Sequence, residues 1–156
     1  MTPHFTLAEL THTDHRTLDN TPDAQQLANL KRLAEFLETV KTTLGGKAVI
    51  ITSGYRSKAL NDAVGSKDTS QHRLGLAADF KVPGMTPDAI VRAIIAANLP
   101  FDQIIREFSD PVTCSGGWTH ISISDKPRRQ EPCQGLENHR LTLVYAGWCL
   151  CCPQRH

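Results

Sequence analysis

The sequence predicts an α+β fold: a small single domain with a central antiparallel sheet flanked by helices. Three observations lead there. Apolar residues at helical spacing run from Leu27 to Leu44. Short β-branched and apolar runs follow, interleaved irregularly with helical stretches. The last two strand-like runs, Asp102 to Phe108 and Trp118 to Ile123, are joined by a Cys-Ser-Gly-Gly turn that suits an antiparallel hairpin. Irregular alternation with a hairpin argues against a doubly wound parallel sheet.

Each element has its own signal. Thr6-Leu7-Ala8-Glu9 has the form of a capping box and predicts a short helix. Thr21-Pro22-Asp23 predicts the start of the longest helix, with Thr21 as N-cap, Pro22 at N1 and an acid near the positive end of the dipole. Leu27, Leu30, Leu33, Leu37, Val40 and Leu44 then form one apolar stripe, and Gly45-Gly46 ends it. Ala48 to Thr52 reads as a buried strand that turns out through Ser53-Gly54-Tyr55-Arg56-Ser57. Ser57 caps a short helix reaching Val64, and a loop follows from Gly65 to Ser70. Leu76 to Val82 is the second strand, with Ala77 and Ala78 small enough for close packing. Thr86-Pro87-Asp88 repeats the helix-start chemistry ahead of Ile90, Val91, Ile94 and Ile95, and Asn98-Leu99-Pro100 stops that helix. The two hairpin strands come next. Order weakens after Asp125, with a final edge strand expected at Leu141 to Tyr145. The expected division is a domain over 1–130 and a C-terminal tail over 131–156.

Composition narrows the function. The chain has 156 residues, long enough to bury a core without a metal or disulfides to hold it. The formal net charge is +1, and residues 1–80 carry as many acids as bases. That balance argues against a basic-patch nucleic-acid protein and against a binder of anionic membranes. No run of roughly 18 apolar residues exists to span a bilayer. Met1-Thr2-Pro3-His4-Phe5 has neither a basic nor an apolar signal region, so synthesis in the cytoplasm is expected. The five cysteines are odd in number and three crowd into the last eight residues, which suits a reducing compartment. The cluster Cys149-Leu150-Cys151-Cys152 lacks a matching Cys-x-x-Cys pair and reads as a cysteine-rich tail rather than a built metal site.

The informative stretch is Ser70-Gln71-His72-Arg73-Leu74-Gly75-Leu76-Ala77-Ala78-Asp79. His72 and Asp79 can face one point if a tight turn leads into a strand; Gly75 permits the turn and the alanines leave room. Trp118-Thr119-His120-Ile121-Ser122 places a second histidine inside an apolar strand, on one face with Trp118 and Ser122. Two imidazoles and a carboxylate are a sufficient protein share for a catalytic zinc. Spacing alone leaves the plainer alternative open: a loop histidine, a capping Asp and a core histidine.

Ser70-x-His72-x-x-Gly75-x-Ala77-x-Asp79 resembles the signature of the M15 peptidases. These are zinc D-Ala-D-Ala carboxypeptidases and related peptidoglycan peptidases, phage endolysins among them. Ser53-Gly54-Tyr55-Arg56-Ser57 resembles the family's upstream Ser-x-Tyr-Arg segment, and Trp118-x-His120 its closing histidine strand. The resemblance covers roughly residues 5 to 125 and looks closest to the short phage and prophage branch. It implies a cleft on an antiparallel sheet, as in hedgehog-type domains. It implies Zn2+ held by His72, Asp79 and His120, with Arg56 holding a substrate carboxylate or developing oxyanion. Ser70 either orients the substrate or only ends the loop.

One position departs from the pattern. Many members carry an acid three residues before the last zinc histidine, and here that residue is Gly117. The nearest upstream acids are Glu107 and Asp110. On the proposed hairpin Glu107 lies beside the histidine strand, so Glu107 is taken as the general base. Gln103 shares its face and lines the site; Asp102 faces the other way. The alternative is a solvated Glu107 and a site that works without it or is degenerate.

The expected function is that of a zinc metallopeptidase cleaving peptidoglycan stem peptides, as a carboxypeptidase or an endopeptidase. Its rival is a non-catalytic wall-peptide-binding or structural phage domain of the same fold. No nucleic-acid or membrane partner is expected, and the protein is read as a monomer. The substrate lies outside the inner membrane, so release during phage lysis or carriage in a virion would bring the two together.

Overall fold

The computed structural model describes residues 1–110 and 116–130, with the backbone of 133–137 and 140–141. In chain order the elements are α1 (Leu7–Leu10), α2 (Ala24–Thr43), β1 (Ile50–Ser53), α3 (Lys58–Ala63), a 3-10 turn (Gln71–Leu74), β2 (Ala77–Lys81), α4 (Pro87–Ala96), β3 (Gln103–Ser109), β4 (Trp118–Ser122), β5 (Cys133–Glu137) and β6 (Arg140–Leu141). The strand order is β1-β2-β4-β3-β5-β6. The first four strands of that order are antiparallel throughout, and β5 joins β3 in parallel. The architecture is α+β, as the sequence predicts.

Local chemistry explains most boundaries. Thr6 and Glu9 form a reciprocal capping box on α1. Thr86 caps α4 with Pro87 at its start, and Ser57 caps α3 by accepting from Leu60 N–H. The start of α2 differs from the expectation. Its N-cap is Asp23, not Thr21, because Asp23 and Gln26 close a reciprocal box. Thr21 instead donates its hydroxyl to Asp19 Oδ1 at 2.6 Å.

The apolar stripe of α2 is buried at Leu30, Leu33, Leu37, Val40 and Leu44, while Leu27, in the first turn, stays 42% exposed. These residues share one core with Ile90 and Ile94 of α4 and with Ala78, Phe80, Ile104 and Ile121 of the sheet. The strand Ala48 to Thr52 was expected to be buried, and β1 is instead an edge strand with Ile50 51% exposed. A continuous apolar run does not reveal whether a second neighbour will cover it.

The hairpin is present as expected. Glu107 pairs with Trp118, Ile105 with His120 and Gln103 with Ser122. On the other side of β4, Asp79 pairs with His120, and Ser53 of β1 pairs with Asp79. Residues paired across strands share a face, so Ser53, Asp79, His120 and Ile105 form one row, with Glu107 and Trp118 in the next. The opposite face supplies the core. Among the described residues no helix is long and apolar enough to cross a membrane. Cys114, the cysteine cluster 149–152, and residues 142–145 of the expected last strand lie outside the described residues, as do the side chains of the 131–156 tail.

Candidate metal centre

Three segments converge on the face of the sheet away from the core. His72 comes from the 3-10 turn, whose end at Gly75 takes φ +70°, a left-handed conformation that favours glycine. Asp79 is central in β2, and His120 is its cross-strand partner in β4. All three are buried. His72 Nε2 lies 3.2 Å from His120 Nδ1 and 3.3 Å from Asp79 Oδ1, and His120 Nδ1 lies 2.8 Å from Asp79 Oδ1.

The donor set fits a small cation. His72 Nδ1 is 2.7 Å from the Gly54 carbonyl oxygen, which can only accept. In a neutral ring Nδ1 therefore carries the proton, and Nε2 presents a lone pair to the carboxylate. Acceptors that converge in a buried space need a cation or a shared proton between them. Tetrahedral donors at zinc distances stand about 3.3 Å apart, close to two of the three separations. The chemistry, two imidazoles and one carboxylate oxygen, is also that of catalytic zinc sites. These three residues could hold a metal ion.

Outer contacts orient the set. Arg56 Nη2 donates to Asp79 Oδ2 at 2.9 Å, and Arg56 Nε donates to Ser53 Oγ at 3.0 Å. The pairing fixes Oδ2 and leaves Oδ1 turned to the histidines. Burial pushes the Asp79 carboxyl up, but the combined effect of His72 and His120 outweighs it and holds the group far below the usual carboxylate range. The guanidinium predicted to meet the substrate is thus already engaged with Asp79.

Glu107 stands one row from His120 on the same face. Trp118 Nε1 donates to Glu107 Oε2 at 2.6 Å, and the Trp118 ring lies 4.8 Å from that of Phe108. Burial pushes the Glu107 carboxyl up, the negative Asp79 adds to this, and the histidines and the indole N–H oppose it. Gly117 has a structural reason. Its φ is +64°, and an added Cβ would fall 1.9 Å from the Glu107 carbonyl oxygen. The hairpin backbone crosses too closely there for any side chain, so an acid at 117 and this hairpin exclude each other.

The remaining predicted residues lie further out. Gln103 shares the site face but sits beside Ser122, and its Nε2 donates to Gln130 Oε1. Ser70 precedes the 3-10 turn and makes no side-chain capping bond to it. Asp102, expected to face away, is buried and bonded to Arg128 and Gln71. The Gly54 carbonyl, the Ser53 hydroxyl and the Trp118 indole were not singled out from the sequence. Ser53 and Gly54 belong to the Ser-Gly-Tyr-Arg segment, which was the available signal.

Fold and cluster together define an α+β domain with a buried His-Asp-His centre able to take a metal. The peptidase M15 family model matches residues 3–122. That is more than half of the chain, and the chain belongs to the peptidase M15 family. No curated protein matches it.

Proposed function

We propose that this peptidase is zinc-dependent and hydrolyses peptide bonds in peptidoglycan stem peptides, as a D-Ala-D-Ala carboxypeptidase or an endopeptidase. The observation that carries the reading is the convergence of His72 Nε2, Asp79 Oδ1 and His120 Nδ1 within 4.8 Å of one another. His72, Asp79 and His120 would hold the zinc. Bound there, zinc supplies Lewis acidity for a carbonyl and lowers the proton affinity of water. Glu107 takes the proton of the attacking water and returns it to the leaving amine. Its position beside Trp118, one row from His120, supports that role, and the close backbone at Gly117 explains why the acid is not on that strand. Arg56 holds Asp79 in register, and the guanidinium N–H groups it does not spend there are offered to negative charge on the substrate. Ser70 and Gln103 flank the substrate path. The peptidoglycan substrate is inferred from the family resemblance alone.

The test is mass spectrometry of purified peptidoglycan incubated with the protein, with chelator and with zinc rescue. Chelator-sensitive loss of one D-Ala identifies a carboxypeptidase, and new ends within the stem or cross-link identify an endopeptidase. Intact peptidoglycan after incubation with folded, zinc-loaded protein would refute the reading.

A further inference from the structure

We infer that Asn20, far from the cluster in sequence and outside the recognised motifs, is a positioning residue for the metal centre. The inference rests on the zinc reading above. It starts from the segment Gly54-Tyr55-Arg56-Ser57, which links β1 to α3 and ends at Ser57, the N-cap of α3. This segment supplies outer contacts to two of the three ligands. The Gly54 carbonyl receives His72 Nδ1–H, Arg56 N–H donates to the His72 carbonyl at 3.1 Å, and the Arg56 guanidinium holds Asp79.

Something must hold the segment itself. Tyr55 N–H donates to the Leu10 carbonyl. Further anchorage, on both sides of Arg56, comes from one side chain. Asn20 Nδ2 donates to Tyr55 O at 3.0 Å and to Thr11 O at 2.9 Å, while Asn20 Oδ1 accepts from Ser57 N–H at 2.7 Å. The amide therefore grips the backbone on both sides of Arg56 and ties it to the end of α1. It uses both donors and its acceptor, a pattern only Asn or Gln offers and which Gln is one carbon too long to repeat here. Releasing the grip frees the backbone that aims the Gly54 carbonyl and the Arg56 guanidinium. Loss of outer contacts of this kind costs metal sites about 10–100-fold in affinity.

The experiment is zinc competition against a chromophoric chelator, run on the full chain. It compares wild type, Asn20→Ala, Asn20→Asp and Val40→Ala, with melting of each metal-free protein recorded alongside. Val40 is buried in α2 and has no part in the site, so it controls for general loss of stability. Asn20→Asp keeps the size and the acceptor for Ser57 N–H, loses the donated bonds, and carries the test if Asn20→Ala does not fold. The expected result is zinc binding weakened about 10-fold or more in the Asn20 variants, with Val40→Ala unchanged. Asn20 variants that bind as tightly as wild type, or a Val40→Ala loss of equal size, would overturn the inference while leaving the zinc reading intact. A wild type that takes up no zinc would overturn both.

Discussion

Glu107 is half-buried beside Trp118, one row from His120. Its carboxyl is pushed up by burial and by the negative charge of Asp79, so it holds its proton to higher pH than a free Glu and is a stronger base once ionised. Activity should rise with pH as Glu107 ionises. Glu107→Gln should retain zinc, lose about 10²–10⁴-fold in kcat and flatten that acid limb. An unchanged rate in a zinc-loaded variant would move the base elsewhere. Stability runs the other way. A raised folded pKa means the folded state binds the proton more tightly than the unfolded chain, so stability falls as pH climbs through the ionisation. Metal-free Glu107→Gln should therefore melt above wild type at neutral pH, and the gap should close below about pH 4, where the unfolded carboxyl is also protonated. His72 and Asp79 were legible in the sequence because a ten-residue motif fixes their types and spacing, and His120 through the separate Trp118-x-His120 segment. The place of Glu107, on the face of His120 and one row away, was legible through strand alternation and the hairpin. The Gly54 carbonyl and the Arg56–Asp79 pairing were not, because a backbone acceptor carries no residue-type signal and a guanidinium's partner depends on tertiary register.

At the level of elements, the sequence marked the four helices and β1 to β4 but not β5, whose residues carry no strand pattern, and its other errors have separable causes. Two plausible caps stood two residues apart before α2. Asp23 prevails because Gln26 falls three residues on and can reach back to its backbone N–H at 2.8 Å. Thr21 has Ala24 at the equivalent place, which offers no such return bond. Asp23→Ala should cost about 1 kcal/mol in urea unfolding, while Thr21→Ala, on an exposed turn, should stay within about 0.5 kcal/mol. The reverse ranking would restore Thr21 as the cap. The burial of β1 was misread for a different reason: β-branched residues fit either an edge or a central strand, and only the finished strand order settles which. In β3, Phe108 takes φ +53° and lies 49% exposed. That local break in alternation sits opposite the Gly117 turn, and neither residue type announces it.

For the whole molecule, the division of labour between the two faces of the sheet sets how metal and stability are coupled. The core joins α2, α4 and the inner face of the sheet through Leu30, Leu33, Leu37, Ile90, Ile94, Phe80 and Ile121, with no contribution from His72, Asp79 or His120. Such a core suffices for a domain of this length, so the metal-free protein should stay folded. The cluster lies on the opposite face and links the 3-10 turn, β2 and β4, so zinc should add stability by mass action rather than create the fold. At free zinc about 100 times its Kd the gain is about 2.7 kcal/mol, which for a chain of this size raises Tm by about 5–10 °C. His72→Ala should abolish that shift while keeping a native far-UV circular dichroism spectrum. A metal-free wild type with an unfolded spectrum would show that the core depends on the cluster after all. A full thermal shift in His72→Ala would place the stabilising zinc elsewhere in the chain.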